Sequence, residues 1–158
     1  NRNYYLGAKL VRGAYMEKER KRAADRAYPS PIHATKEETD EAFNQAIRFC
    51  IEHYNRISSC NASHNMDSCQ LMAKLITDKL IPRNHSHLNF CQLLGMSDNI
   101  TFNLAYHGFN VAKYVPYGPI VEVVPFLIRR AEENTSITGE VGRELALIRE
   151  EVARRGMK

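Results

Sequence analysis

Apolar positions along this chain switch repeatedly between two spacings. Leu6 to Val11 forms a short unbroken apolar run that stops at Arg12-Gly13. A charged stretch follows and breaks at Tyr28-Pro29-Ser30-Pro31, a turn-forming cluster. Thr35 and Glu38 then stand at capping-box spacing, each able to satisfy a free N–H at a helix start. Behind them Phe43, Ile47, Cys50 and Tyr54 recur every three or four residues and predict a helix with one apolar face. Ile57 to Ala62 reads as a second strand, and Asp67 or Ser68 as the cap of a helix carrying Leu71, Met72, Leu75 and Ile76. Leu88 to Leu94 predicts a third strand, and Asp98 the cap of a short helix that Gly108 closes. Val111 to Val115 is the fourth strand. Pro119 suits the first turn of the helix after it, Pro125 is read as early enough there to cost little, and a last helix spans about 140–155.

Four strand-then-helix units predict an α/β fold with about four parallel strands joined by right-handed crossovers. The strands lack clean in-out alternation, as expected where both faces are covered. Two architectures fit. An open doubly wound sheet would be complete in 158 residues, whereas a whole (β/α)8 barrel needs about 250. Periodicity leaves that choice open. The length predicts one domain, and Asn1 in place of Met suggests a piece of a longer protein.

Composition narrows the classes. With 44% hydrophobic and 25% charged residues the chain is ordinary for a globular protein, and no apolar run approaches the roughly 18–20 residues of a membrane span. The formal charge of +4 is interleaved, as in Glu17-Lys18-Glu19-Arg20-Lys21-Arg22, so it predicts a solvated helix and argues against a nucleic-acid partner. Cys50, Cys60, Cys69 and Cys91 form no C-x-x-C pair and read as reduced, mostly buried thiols. His85 and His87 could serve a metal but precede the third strand, so no metal site is expected. Glycine-rich nucleotide fingerprints, the P-loop lysine motif and the G-x-S-x-G elbow are all missing.

Parallel α/β folds bind ligands at the carboxyl ends of their strands. Here those ends read Lys9-Leu10-Val11-Arg12-Gly13-Ala14-Tyr15, Ala62-Ser63-His64-Asn65, Gln92-Leu93-Leu94-Gly95-Met96 and Lys113-Tyr114-Val115-Pro116-Tyr117-Gly118. Polar or aromatic groups begin in all four where the apolar run stops. Arg129 and Arg130 adjoin on an otherwise apolar helix with Glu133 one turn on. They are either surface ion pairs or a fork for a carboxylate. A non-catalytic α/β domain using that fork to hold a small acidic ligand is the rival reading.

These strings, in this order, resemble the proline dehydrogenase family over essentially the whole chain: Lys-Leu-Val-Arg-Gly-Ala-Tyr at 9–15, Ser-His-Asn at 63–65, Gln-Leu-Leu-Gly-Met at 92–96, Lys-Tyr-Val-Pro-Tyr-Gly-Pro at 113–119 and Arg-Arg-x-x-Glu-Asn at 129–134. The resemblance implies the C-terminal half of a (β/α)8 TIM-like barrel. It implies an FAD enzyme that oxidises L-proline to pyrroline-5-carboxylate by hydride transfer to flavin N5, with electrons passing to a quinone. It carries over Lys9 as the catalytic cation near N5, where many relatives have Arg. Lys9, Val11, Arg12, Gly13, Ala14, Ser63, His64, Gln92 and Glu133 would meet the cofactor. Tyr15, Leu94, Tyr114, Arg129 and Arg130 would meet proline. A lysine and an aspartate that the family takes from earlier strands have no counterpart here. The missing N-terminal half of the barrel is therefore the expected partner, and the chain alone is expected to be inactive. Location follows the source: cytoplasmic with peripheral attachment to the inner membrane in a bacterium, mitochondrial in a eukaryote. The Asn-Thr-Ser-Ile and Glu-Leu-Ala-Leu-Ile runs point to a bacterium.

Overall fold

The computed structural model describes residues 4–13, 15–136 and 138–156, with the side chains of 129–144 outside that description. Its elements run β1 (Leu6–Leu10), α1 (Met16–Asp25), α2 (Lys36–Glu52), β2 (Ile57–Ala62), α3 (Met66–Asp78), β3 (Leu88–Leu93), α4 (Asp98–Tyr106), β4 (Val111–Tyr114), α5 (Ile120–Ser136) and α6 (Thr138–Arg154). All strand pairs are parallel, and their order across the sheet is β1-β2-β3-β4.

That order decides between the two architectures. A doubly wound sheet reverses direction at a switch point, which puts helices on both faces. Here every right-handed crossover steps the same way, so the connecting helices gather on one face, as in a barrel wall. Burial agrees. Ile57, Ser59 and Asn61 of β2 are buried while Ser58, Cys60 and Ala62 between them are half-buried. The core joins Leu88 and Phe90 of β3 to Phe43, Ile47 and Ile51 of α2, Met72 and Ile76 of α3, and Ile100 and Leu104 of α4; Leu10 and Val111 pack at its margin. The expectation that both sheet faces are covered is corrected accordingly. The opposite face, carrying Lys9, Cys60, Leu93 and Tyr114, is only partly enclosed.

The local signals have physical causes. The capping box holds as expected, with Glu38 N–H donating to Thr35 Oγ1 at 3.2 Å and Thr35 N–H to Glu38 Oε2 at 3.3 Å. The interleaved charges of α1 face water, and Ala23 is its one buried residue. Two expected caps are corrected. Asn65, not Asp67 or Ser68, caps α3, its Oδ1 accepting the Ser68 N–H at 2.9 Å. Ser97 is the cap of α4 in left-handed backbone (φ 52), while Asp98 opens the helix and pairs with Lys113 at 2.6 Å. Pro125 lies inside α5, past the first four residues whose N–H groups are free in any helix. Of the four cysteines, Cys50, Cys69 and Cys91 are buried and Cys60 is half-buried.

Candidate functional site

Direct side-chain bridges link the carboxyl ends of all four strands. Arg12, just past β1, donates from Nη1 to Ser63 Oγ at 2.7 Å at the end of β2. Gln92 of β3 donates from Nε2 to the Ser63 carbonyl at 3.2 Å and accepts from Thr101 Oγ1 at 3.0 Å. His64 Nδ1 meets Ser97 Oγ at 2.9 Å, tying the loop after β2 to the loop after β3. Lys113 of β4 donates to the Met96 carbonyl at 2.6 Å and pairs with Asp98. The rim is thereby tied together by polar contacts, and Arg12 seats it on Phe43 of the core.

Arg12 is more deeply engaged than its exposed neighbours. Besides Ser63 it donates to Ser68 Oγ, its Nε stands 2.7 Å from Asp40 Oδ1, and its guanidinium lies 3.9 Å from the Phe43 ring centroid. Those partners belong to α2 and α3 on the helix-covered side. Gln92 is likewise buried at 1% exposure with its amide bonded within the protein. Both therefore brace the strand ends from behind.

The open face carries a different chemistry. Register sets Lys9 level with Cys60 and Tyr114 level with Leu93. Lys9 Nζ nevertheless sits 4.7 Å from the centroid of the Tyr114 ring, a cation–π contact across a sheet four strands wide. Phe126 of α5 meets the same ring edge-on at 6.1 Å. Burial, then the neighbouring Cys91, push the Cys60 thiol up to about 11, against the pull of the Lys9 cation. Cys60 is thus a neutral lining group at ordinary pH. Val11 and Leu94 are exposed on the rim, and Gly13 takes the left-handed backbone (φ 69) open to glycine. Tyr15 is 73% exposed with a left-handed φ of 59, and its ring neighbours Lys18. The structure brings Lys9 to Tyr114, and Arg12, Ser63 and Gln92 into a second group, with His64 beside it. Ala14 and the side chains of Arg129, Arg130 and Glu133 lie outside the described residues. Among the described residues no group of three ligands for a metal ion occurs, and His85 and His87 pack edge-on against one another.

Asp40, Ser68, Ser97 and Phe126 join the site although the sequence reading gave them no part in it, and Lys113 joins it although its strand-end string was quoted without a role for it. Asp40 had a signal: it stands one turn before Phe43 at the head of the apolar stripe of α2, where a carboxylate needs a partner.

His64 is half-buried, and burial followed by the Lys113 cation holds its pKa below the usual 6.5. The fold prefers neutral imidazole, so its contribution to stability is fully present above the unfolded value and is lost as pH falls through the lowered one. In thermal melts from about pH 8 to about pH 5, His64→Gln is expected to flatten the acid-side fall in melting temperature. A wild-type fall of unchanged steepness in the variant would place the titration elsewhere.

A family model described as Proline dehydrogenase matches residues 1–143. The mitochondrial proline dehydrogenase 1 of Drosophila melanogaster is 38% identical over 166 residues, covering 99% of this chain and 24% of its own length. That of Homo sapiens is 42% identical over 154 residues, covering 95% of this chain and 26% of its own length. The chain thus spans about a quarter of these relatives. Among solved structures, proline utilization A from Bdellovibrio bacteriovorus, inactivated by N-propargylglycine, aligns with a TM-score of 0.74 and 29% identity over 82% of this chain and 13% of that one.

Proposed function

Because the chain belongs to the proline dehydrogenase family, we propose that it forms the C-terminal half of a (β/α)8 barrel that oxidises L-proline to pyrroline-5-carboxylate. The observation that carries this reading is the Lys9 ammonium over the Tyr114 ring on the one sheet face the helices leave open.

FAD fits the groups present. A planar conjugated ring that gains negative charge asks for a fixed cation, apolar walls and hydrogen-bond donors, and this face and rim offer Lys9, Val11, Gly13, Ser63 and His64. Glu133 is added on sequence grounds. When bound, FAD supplies the acceptor for the hydride that leaves the proline ring carbon beside nitrogen. The chain's own residues bind and orient. Tyr114 and Leu94 offer apolar surface to the ring, and Tyr15 extends it from the start of α1. Arg129 and Arg130, adjacent in the sequence of α5, would bind the substrate carboxylate and so orient the reacting ring carbon. Lys9 would stabilise negative charge on the bound cofactor. Arg12 and Gln92 serve the site through Ser63.

Electrons then pass to a quinone. The mitochondrial names of the fly and human relatives, at 38% and 42% identity against 29% for the bacterial structure, support a mitochondrial location. No helix among the described residues is long and apolar enough to cross a membrane.

The test compares the chain alone with the chain joined to the rest of the barrel. The joined protein is expected to carry flavin absorbance and to reduce a dye with proline; the chain alone, given excess FAD, is expected to do neither. Turnover by the chain alone would refute the half-barrel division. A joined protein that retains no flavin would overturn the enzyme reading in favour of a domain holding a small acidic ligand.

A further inference from the structure

Ser63 is held through both its hydroxyl and its carbonyl. Its hydroxyl oxygen accepts from Arg12 Nη1 at 2.7 Å and from the Asn65 N–H at 3.1 Å. A serine hydroxyl has two acceptor sites and one proton to give. Both acceptor sites are occupied, and among the described residues nothing takes the proton. The residue is 6% exposed and its carbonyl is held by Gln92 Nε2 and by Cys69 Sγ, so the side chain stands on an anchored backbone. The hydroxyl is therefore a donor with fixed polarity.

That polarity originates at Asp40. Its carboxylate contacts Arg12 Nε at 2.7 Å and Lys36 Nζ at 2.6 Å, so it is held from its own helix while it holds the guanidinium. Phe43 supports the guanidinium plane from below, and Ser68 Oγ, which receives Arg12 Nη2, hands its own proton to Asn44 Oδ1 at 2.7 Å. Arg12 is the hub of these contacts: Asp40 of α2 holds its Nε and Ser68 of α3 accepts from its Nη2, which leaves Nη1 directed at Ser63 at the end of β2.

We propose that Asp40 is a positioning residue: through Arg12 it commits the Ser63 hydroxyl to donate its proton to an acceptor atom of the cofactor. This rests on the flavin reading above and adds to it a residue of α2 with no place in the motifs at the strand ends. It also gives the Arg12 guanidinium an indirect part, as the link between carboxylate and hydroxyl.

The experiment is a double-mutant cycle on the FAD dissociation constant of the holoenzyme, followed by flavin fluorescence and the visible spectrum. Ser63→Ala is expected to weaken FAD about 10-fold and Ser63→Thr, which keeps the hydroxyl, by less than about 3-fold. Asp40→Asn is expected to weaken it roughly 3- to 10-fold in a wild-type background and by less than about 2-fold in the Ser63→Ala background. Asp40→Glu, which keeps the charge, should restore most of the loss. A purely structural role for Asp40 predicts losses that multiply, and that result overturns the proposal, as does an Asp40→Asn protein with wild-type affinity. Circular dichroism screens out unfolded variants; if Asp40→Asn is among them, a folded Asp40→Glu protein with wild-type affinity supports the proposal, and one with the Ser63→Ala defect overturns it. A wild-type protein without flavin would instead reject the functional reading itself.

Discussion

Replacing Lys9 with methionine in the holoenzyme is expected to lower proline turnover by about 10²–10³-fold while leaving the fold intact. Methionine keeps the length and apolar stem of lysine and removes only the charge. Lys9 is exposed on the open face, so no core packing is lost. What disappears is a cation held near the Tyr114 ring, at a place where negative charge would have to be stabilised as the substrate is oxidised. The loss should fall on kcat more than on KM, because a ground-state proline gains little from that charge. Lys9→Arg should retain much of the rate, since the guanidinium keeps the positive charge on a side chain of similar reach. Flavin content measured on the same preparations separates the effect from simple cofactor loss. Near wild-type turnover in Lys9→Met would remove Lys9 from the chemistry.

Stability should answer to the other face of the sheet. Phe90→Ala is expected to cost about 3–5 kcal/mol, a large part of the roughly 5–15 kcal/mol that holds a typical domain folded. Phe90 is 0% exposed at the centre of the core, with the Phe109 ring edge-on at 5.7 Å. Its removal leaves a cavity bordered by strands and by helices already fixed elsewhere, so the site has little freedom to collapse. Leu80→Ala serves as the control. Leu80 is just as apolar but 91% exposed, and its loss should stay within about 0.5 kcal/mol. Urea denaturation of the two variants side by side gives the comparison. Equal midpoints would mean that the core does not lie between the sheet and α2–α4.

Much of this organisation was legible before any coordinates. Strand and helix periods differ enough that Ile57 to Ala62 and the Phe43-Ile47-Cys50 stripe identify themselves, and a capping box is a local pattern that four residues complete. Strand order was not legible. Periodicity reports which side of an element is buried, and says nothing about which strand lies beside which, so on that ground barrel wall and doubly wound sheet stayed equivalent; the family resemblance pointed to the barrel, and the β1-β2-β3-β4 order agrees. Caps failed for a related reason. Asn65, Asp67 and Ser68 are all competent caps, and the choice depends on where the chain leaves β2. The polar positions at the strand ends stood out because they interrupt apolar runs, yet their division of labour was hidden. Arg12 and Lys9 look alike as cations in one short string. Only the side of β1 from which each departs makes one a brace and the other an open charge, and the deciding partners, Asp40 and Tyr114, are far away in sequence.

Because the polar bridges at the strand tips involve side chains distinct from both the apolar core and the open face, substitutions on that face can accumulate with little penalty to folding. Under the proposed reading, Val11, Leu93, Leu94 and Tyr114 are the positions at which a lineage would retune its ligand, one residue at a time, without first acquiring a more robust scaffold.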